Sequence, residues 1–110
     1  MREALEARRE TLGARHPSTL ASMGNLGELQ RKRGDLDAAS ASLDEALTGM
    51  LETLGPNHLM SLVFTAVAAR VALARTGDAS QLREAVQKME AILGPEHQET
   101  RRYGKALEEA

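Results

Sequence analysis

The 110-residue chain has no cysteine and no tryptophan, and its aromatic content is one phenylalanine, Phe64, and one tyrosine, Tyr103. Without cysteine there are no disulfides and no thiolate metal sites, which is compatible with a reducing compartment. With so few aromatic rings the core must be built from Leu, Ala, Val and Met, a composition that suits closely approaching helices and disfavours a β-sandwich or barrel. Charge of one sign is also missing, since 14 basic and 16 acidic side chains leave a formal net charge of −2. No whole-chain field therefore draws the molecule to nucleic acid or to an anionic membrane. No apolar run approaches the roughly 20 residues of a membrane span, and the first residues are not an apolar stretch of secretory type. The expected address is the cytoplasm, with no nucleic acid and no membrane as partner.

Chemistry-bearing motifs are scarce as well. Ser18, Ser22, Ser40, Ser42, Ser61 and Ser80 are present, but none stands in a Gly-x-Ser-x-Gly elbow, and there is no Gly-rich phosphate loop or His-Glu-x-x-His run. An enzyme would need a nucleophile, a base and an orienting group in one pocket. Asp37 with Asp44, and Glu108 with Glu109, read as solvated helix faces. Neither catalysis nor a cofactor is expected.

What is present is repetition. Leu12-Gly13-Ala14-Arg15-His16 returns as Leu54-Gly55-Pro56-Asn57-His58 and as Leu93-Gly94-Pro95-Glu96-His97, with the histidines 42 and then 39 residues apart. Glu3-Ala4-Leu5, Glu45-Ala46-Leu47 and Glu84-Ala85-Val86 stand nine residues before the leucine in each copy. Two anchors in one register describe an array, and arrays bind more often than they catalyse. The periodic histidines invite a metal reading, but successive layers of helices lie on the order of 10 Å apart, and metal–nitrogen bonds near 2 Å do not bridge that distance. They are expected to fix the loop before each outgoing helix.

Helix signals bracket the repeats. Ala4, Leu5 and Leu12 share one face of residues 2–12. Pro17 suits a first helical turn, after which Leu20, Met23, Leu26 and Gly27 recur at helical spacing up to a stop at Gly34, behind Arg31-Lys32-Arg33. Asp35 is expected to cap the return helix, whose stripe is Leu36, Ala39, Leu43, Ala46, Leu47, Met50, Leu51 and Leu54. In a second hairpin one helix runs from near His58 to Thr76-Gly77, and Asp78 caps the next, with Leu82, Ala85, Val86, Met89, Ile92 and Leu93 as its stripe. Gly34 to Gly55 is 21 residues but Gly77 to Gly94 only 17, so the second return helix is expected to be about one turn shorter. A last outgoing helix starts near Gln98. The expected organisation is a single array: residues 1–12 as the return helix of a partial repeat, 17–54 and 58–93 as complete repeats, and 98–110 as the outgoing helix of another partial repeat. With neither end capped, a fragment of a longer array is expected.

Arg2 to Gly13, His16-Pro17-Ser18-Thr19-Leu20, and Asn25-Leu26-Gly27 ahead of Gly34-Asp35 resemble tetratricopeptide repeats of the kinesin light chain type. The 42-residue period exceeds the roughly 34 residues of the ordinary tetratricopeptide repeat. The resemblance implies an all-α fold, a right-handed superhelical stack of antiparallel helix hairpins with about six helices, in which Leu26, Gly27, Ala39, Leu43 and Ala46 are close-packing positions. Gly27 costs about 1 kcal/mol relative to alanine inside a helix, which suggests a tight crossing; its counterpart is Ala69. The resemblance also implies that outgoing helices line a concave groove in which Asn25 binds a peptide backbone, whereas the second repeat has Val67-Ala68 there. Asn25, Glu28, Arg31, Lys32, Arg70, Arg102 and Lys105 are the candidate groove residues, for a protein or peptide partner whose complement to so many cations is acidic. Ordinary surface charge offset by Glu28 is the other reading of the same cations. The alternative function is a structural segment of a longer array that supports its neighbours or self-associates through unpaired terminal stripes.

Overall fold

The computed structural model describes residues 16–110, and among them every regular element is a helix. They are α1 (Pro17–Lys32), α2 (Leu36–Thr53), α3 (Leu59–Thr76), α4 (Ser80–Leu93) and α5 (Gln98–Glu108). Five helices are thus seen where six were expected, because the one read over residues 2–12 lies outside the described residues. Each helix packs against its neighbour in the chain, and α1 also touches α3. That order gives hairpins laid side by side, with α3 in the middle.

The repeated histidines begin the outgoing helices. His16, His58 and His97 are the N-caps of α1, α3 and α5, all in nearly the same extended conformation, with φ −66, −67 and −64° and ψ 138, 143 and 140°. In each, Nδ1 accepts the backbone N–H two residues on, from Ser18, Met60 and Glu99, at 3.1 Å. This satisfies one of the donors a helix start leaves open and puts the proton of the neutral ring on Nε2. The helix ends use glycine: after α1 the Gly34 N–H donates to the Arg31 carbonyl and the Asp35 N–H to the Gln30 carbonyl, with Gly34 at φ 85°. Those two bonds form a Schellman close.

Both aspartate caps need correction. Asp35 occupies the N-cap position of α2 but makes no side-chain cap bond, because its φ −81° and ψ 69° lie away from the extended conformation a capping side chain requires. Asp78 sits one residue ahead of the N-cap of α4, Ala79, and instead accepts from the Ser80 N–H at 2.9 Å and hydroxyl at 2.6 Å. Those bonds hold its carboxyl below the ordinary aspartate value. Leu51 and Ile92, expected inward, are 46% and 41% exposed. Leu51 lies a full 100° round the helix from Met50, and Ile92 is in the last turn of α4.

The core runs through all five helices, from Leu20 and Met23 through Leu43, Met50, Leu62 and Phe64 to Leu82, Met89 and Tyr103. Glycines set its spacing. A Cβ on Gly27 would meet Leu43 Cγ at 2.6 Å, and one on Gly49 would run into Leu20, so α1 and α2 interlock reciprocally. A Cβ on Gly24 would meet three Phe64 ring atoms at 2.7 to 2.9 Å, which seats α3 against α1. Helix α3 is long and apolar enough, by length and composition alone, to cross a membrane, although Arg70 and Arg75 interrupt its apolar residues. Its place between α1, α2 and α4 accounts for that composition.

Two stability measurements check this picture. His58→Ala should lower unfolding free energy by about 1 kcal/mol in denaturant titrations, whereas His58→Asp, which also accepts at an N-cap and suits the helix dipole, should retain it. Gly24→Ala should cost about 1–2 kcal/mol through overpacking against Phe64, while Gly104→Ala, where nothing lies within 4 Å of the new methyl, should add about 0.5–1 kcal/mol.

Candidate functional site

Counting from each histidine gives every outgoing helix the same coordinates. With about 100° of turn per residue, Arg102 at five residues, Asn25 at nine, Glu28 and Arg70 at twelve and Lys32 at sixteen fall within about 60° of arc. The five expected residues Asn25, Glu28, Lys32, Arg70 and Arg102 therefore share one face of three successive outgoing helices. Arg31 and Lys105 lie about 80° round from it. The arrangement thus separates two of the seven candidates from the rest.

Their environments differ too. Asn25, Lys32, Arg102 and Lys105 are exposed, and Glu28, Arg31 and Arg70 are half-buried. Arg31 is held by Glu28, whose Oε1 accepts from its Nε at 3.1 Å and also from Nη2. Glu28 Oε2 is buried with no hydrogen-bond partner among the described residues. Arg102 lies 5.6 Å over the ring of Tyr103 and 3.9 Å from Glu99 Oε2, and with Gln98, Arg101 and Lys105 it lines an open depression. Arg70 makes no hydrogen bond or ion pair among the described residues. It is the unengaged cation of the middle helix.

Tyr103 was absent from the sequence-based site. Its signal was nevertheless available: Phe64 and Tyr103, the only aromatic residues, each stand six positions after a histidine, the position from which Phe64 leans on Gly24 of the preceding outgoing helix. Tyr103 is 2% exposed. Burial pushes its hydroxyl above the ordinary tyrosine value, with Glu28 and Glu99 adding to the rise and Arg102 and Arg70 opposing it. The hydroxyl therefore sits in the field of charges from α1, α3 and α5 together. A second missed periodicity is a buried hydroxyl three residues after each histidine, at Thr19, Ser61 and Thr100.

The side of α5 facing away from α3 departs from its equivalents. Where α1 buries Leu20, Gly24 and Gly27 and α3 buries Leu62, Ala66 and Ala69, α5 has Arg101, Lys105 and Glu108. Among the described residues no group of three or more His, Asp or Glu is placed to hold a metal ion. Each imidazole Nδ1 is already committed to its cap.

Residues 1–52 match the tetratricopeptide repeat family. The match supports a tetratricopeptide repeat protein, and it takes in α1 and nearly all of α2. Repeats of this family are generally protein–protein interaction modules and non-enzymatic scaffolds. No curated protein matches the chain. The unmatched remainder holds the second hairpin, in which α4 spans 14 residues against 18 for α2 and Ala69 replaces the glycine of the tight crossing.

The single tyrosine, in a chain without tryptophan, gives this face its own probe. Near-ultraviolet absorbance should show Tyr103 ionising in the native protein with a midpoint above the ordinary value of about 10. Between that value and the raised one the folded state holds more protons than the unfolded state, so stability is undiminished below about pH 10 and falls as pH rises. Tyr103→Phe should remove that alkaline loss.

Proposed function

We propose that the chain is a protein interaction module of the kinesin light chain type, a right-handed superhelical solenoid whose outgoing helices line a concave groove for an extended or helical partner peptide. The observation that carries this reading is Arg70, a half-buried guanidinium without a partner among the described residues, on the same helical face as Asn25, Glu28, Lys32 and Arg102. A bound carboxylate would satisfy its donors in bidentate fashion, and Lys32 and Arg102 on either side make an acidic segment the better complement. Asn25 supplies an amide that can accept from and donate to a peptide backbone. Arg31 contributes indirectly, by holding Glu28, and Lys105 lies beside the groove. The cytoplasm is the proposed address, consistent with a chain free of cysteine.

The rival reading, a structural segment that self-associates through unpaired apolar stripes, loses one of its two supports. The exposed side of α5 carries Arg101, Lys105 and Glu108, charges that resist burial against a second copy. The other stripe, read over residues 2–12, lies outside the described residues.

A peptide selected from a display library against the whole chain, then titrated in solution, tests the groove. Asn25→Ala combined with Arg70→Glu should weaken it by about a hundredfold, the sum of a lost hydrogen bond and a reversed charge, with helicity and melting temperature unchanged. Undiminished affinity in the double variant would sink the groove.

A further inference from the structure

A cleft of about 500 Å³ opens on the opposite side of α3, between α2 and the beginning of α4. Its floor is Ala68, Val71 and Ala72 of α3, and its walls carry Ser40 and Asp44 of α2 and Gln81 of α4. Around α3, Ala68 and Ala72 lie about 160° and Val71 about 100° from Arg70, so the cleft and the concave line are separate surfaces. The walls are polar and unengaged. Asp44 takes one hydrogen bond, at its backbone carbonyl from the Thr48 hydroxyl at 2.8 Å, and among the described residues its carboxylate, the Ser40 hydroxyl and the Gln81 amide have no partner.

The one cation on the rim is already matched. Arg75 pairs with Asp37 at 3.2 Å, which leaves Asp44 as the uncompensated charge and makes the cleft negative. An alanine-paved floor beneath a free carboxylate fits a side chain with an apolar stem and a cationic head. We propose that this cleft receives an arginine side chain from a partner polypeptide, its methylenes over Ala68 and Ala72 and its guanidinium at Asp44. The planar fork answers a carboxylate in bidentate fashion and has further N–H groups for the Ser40 and Gln81 oxygens, which a lysine ammonium does not match in geometry. The site does not depend on the groove reading. It gives the molecule a second, oppositely charged contact on its other side.

The test is an amide-resolved NMR titration of the whole chain with a blocked alanine peptide bearing one central arginine. The same peptide with citrulline, equal in shape but uncharged, is the control. Saturable shifts are expected at Ser40, Asp44, Ala68, Ala72 and Gln81. Citrulline, or Asp44→Asn in the protein, should weaken binding by about fivefold, the scale of a half-exposed ion pair, and Asn25→Ala with Arg70→Glu should leave it unchanged. Asp44 is exposed, so its variant should keep the native circular dichroism. Absence of saturable shifts, equal affinity for the citrulline peptide, or insensitivity to Asp44→Asn would each overturn the assignment.

Discussion

Everything in this fold depends on how near the helices come to one another, and that distance is set where a side chain enters the space a glycine leaves open. Leu43 fills the place of a Cβ on Gly27, Leu20 does so on Gly49, and the Phe64 ring lies where a Cβ on Gly24 would be. The first two fix the hairpin and the third fixes one hairpin against the next. Glycine inside a helix sacrifices about 1 kcal/mol of propensity, a loss that close dispersion contact along both helices offsets. With few aromatic rings to fill wide gaps, close approach is how a core of Leu, Ala, Val and Met reaches ordinary packing density.

The histidine caps work with those sockets. An outgoing helix can present its residues in register with the last only if it starts at a fixed angle, and each imidazole fixes that start by accepting an N–H two residues on. Because the three caps share one conformation, positions counted from them correspond in space. Phe64 and Tyr103 become equivalent, as do Glu28 and Arg70. The proposed recognition line across three helices is thus a product of the loops, which themselves contribute none of its side chains.

Much of this was legible in the residues. The 42-residue repeat marked the hairpins, Gly27 announced a tight crossing, and the shorter second return helix followed from the glycine spacing. The aspartate caps misled because composition reports what a residue is able to do, whereas the Schellman close after α1 had already set the backbone of Asp35. Leu51 and Ile92 looked buried because a stripe read from sequence has no end. Helix α2 buries one narrow face, and the last turn of α4 leaves Ile92 exposed. Within the candidate site, what separates Arg31 from Arg70 is local in sequence. Both are arginines on outgoing helices, but one has an acidic residue three positions before it on its own helix and the other has none.

The slip from a 42-residue to a 39-residue spacing ties the two surfaces together. Removing about a turn from the second return helix leaves its apolar face in phase, so Leu82, Val86 and Met89 still reach the core. The helix starts differ by one residue, α4 beginning three after Gly77 and α2 two after Gly34. Gln81, in the first turn of α4, lies across the cleft from Asp44, over the half-buried Ala68 and Ala72 of α3. On the side of Arg70 the same second repeat has Val67 where the first has Asn25, so the proposed groove rests there on charge. The middle helix thus carries a cation on one side and an acid-walled cleft on the other.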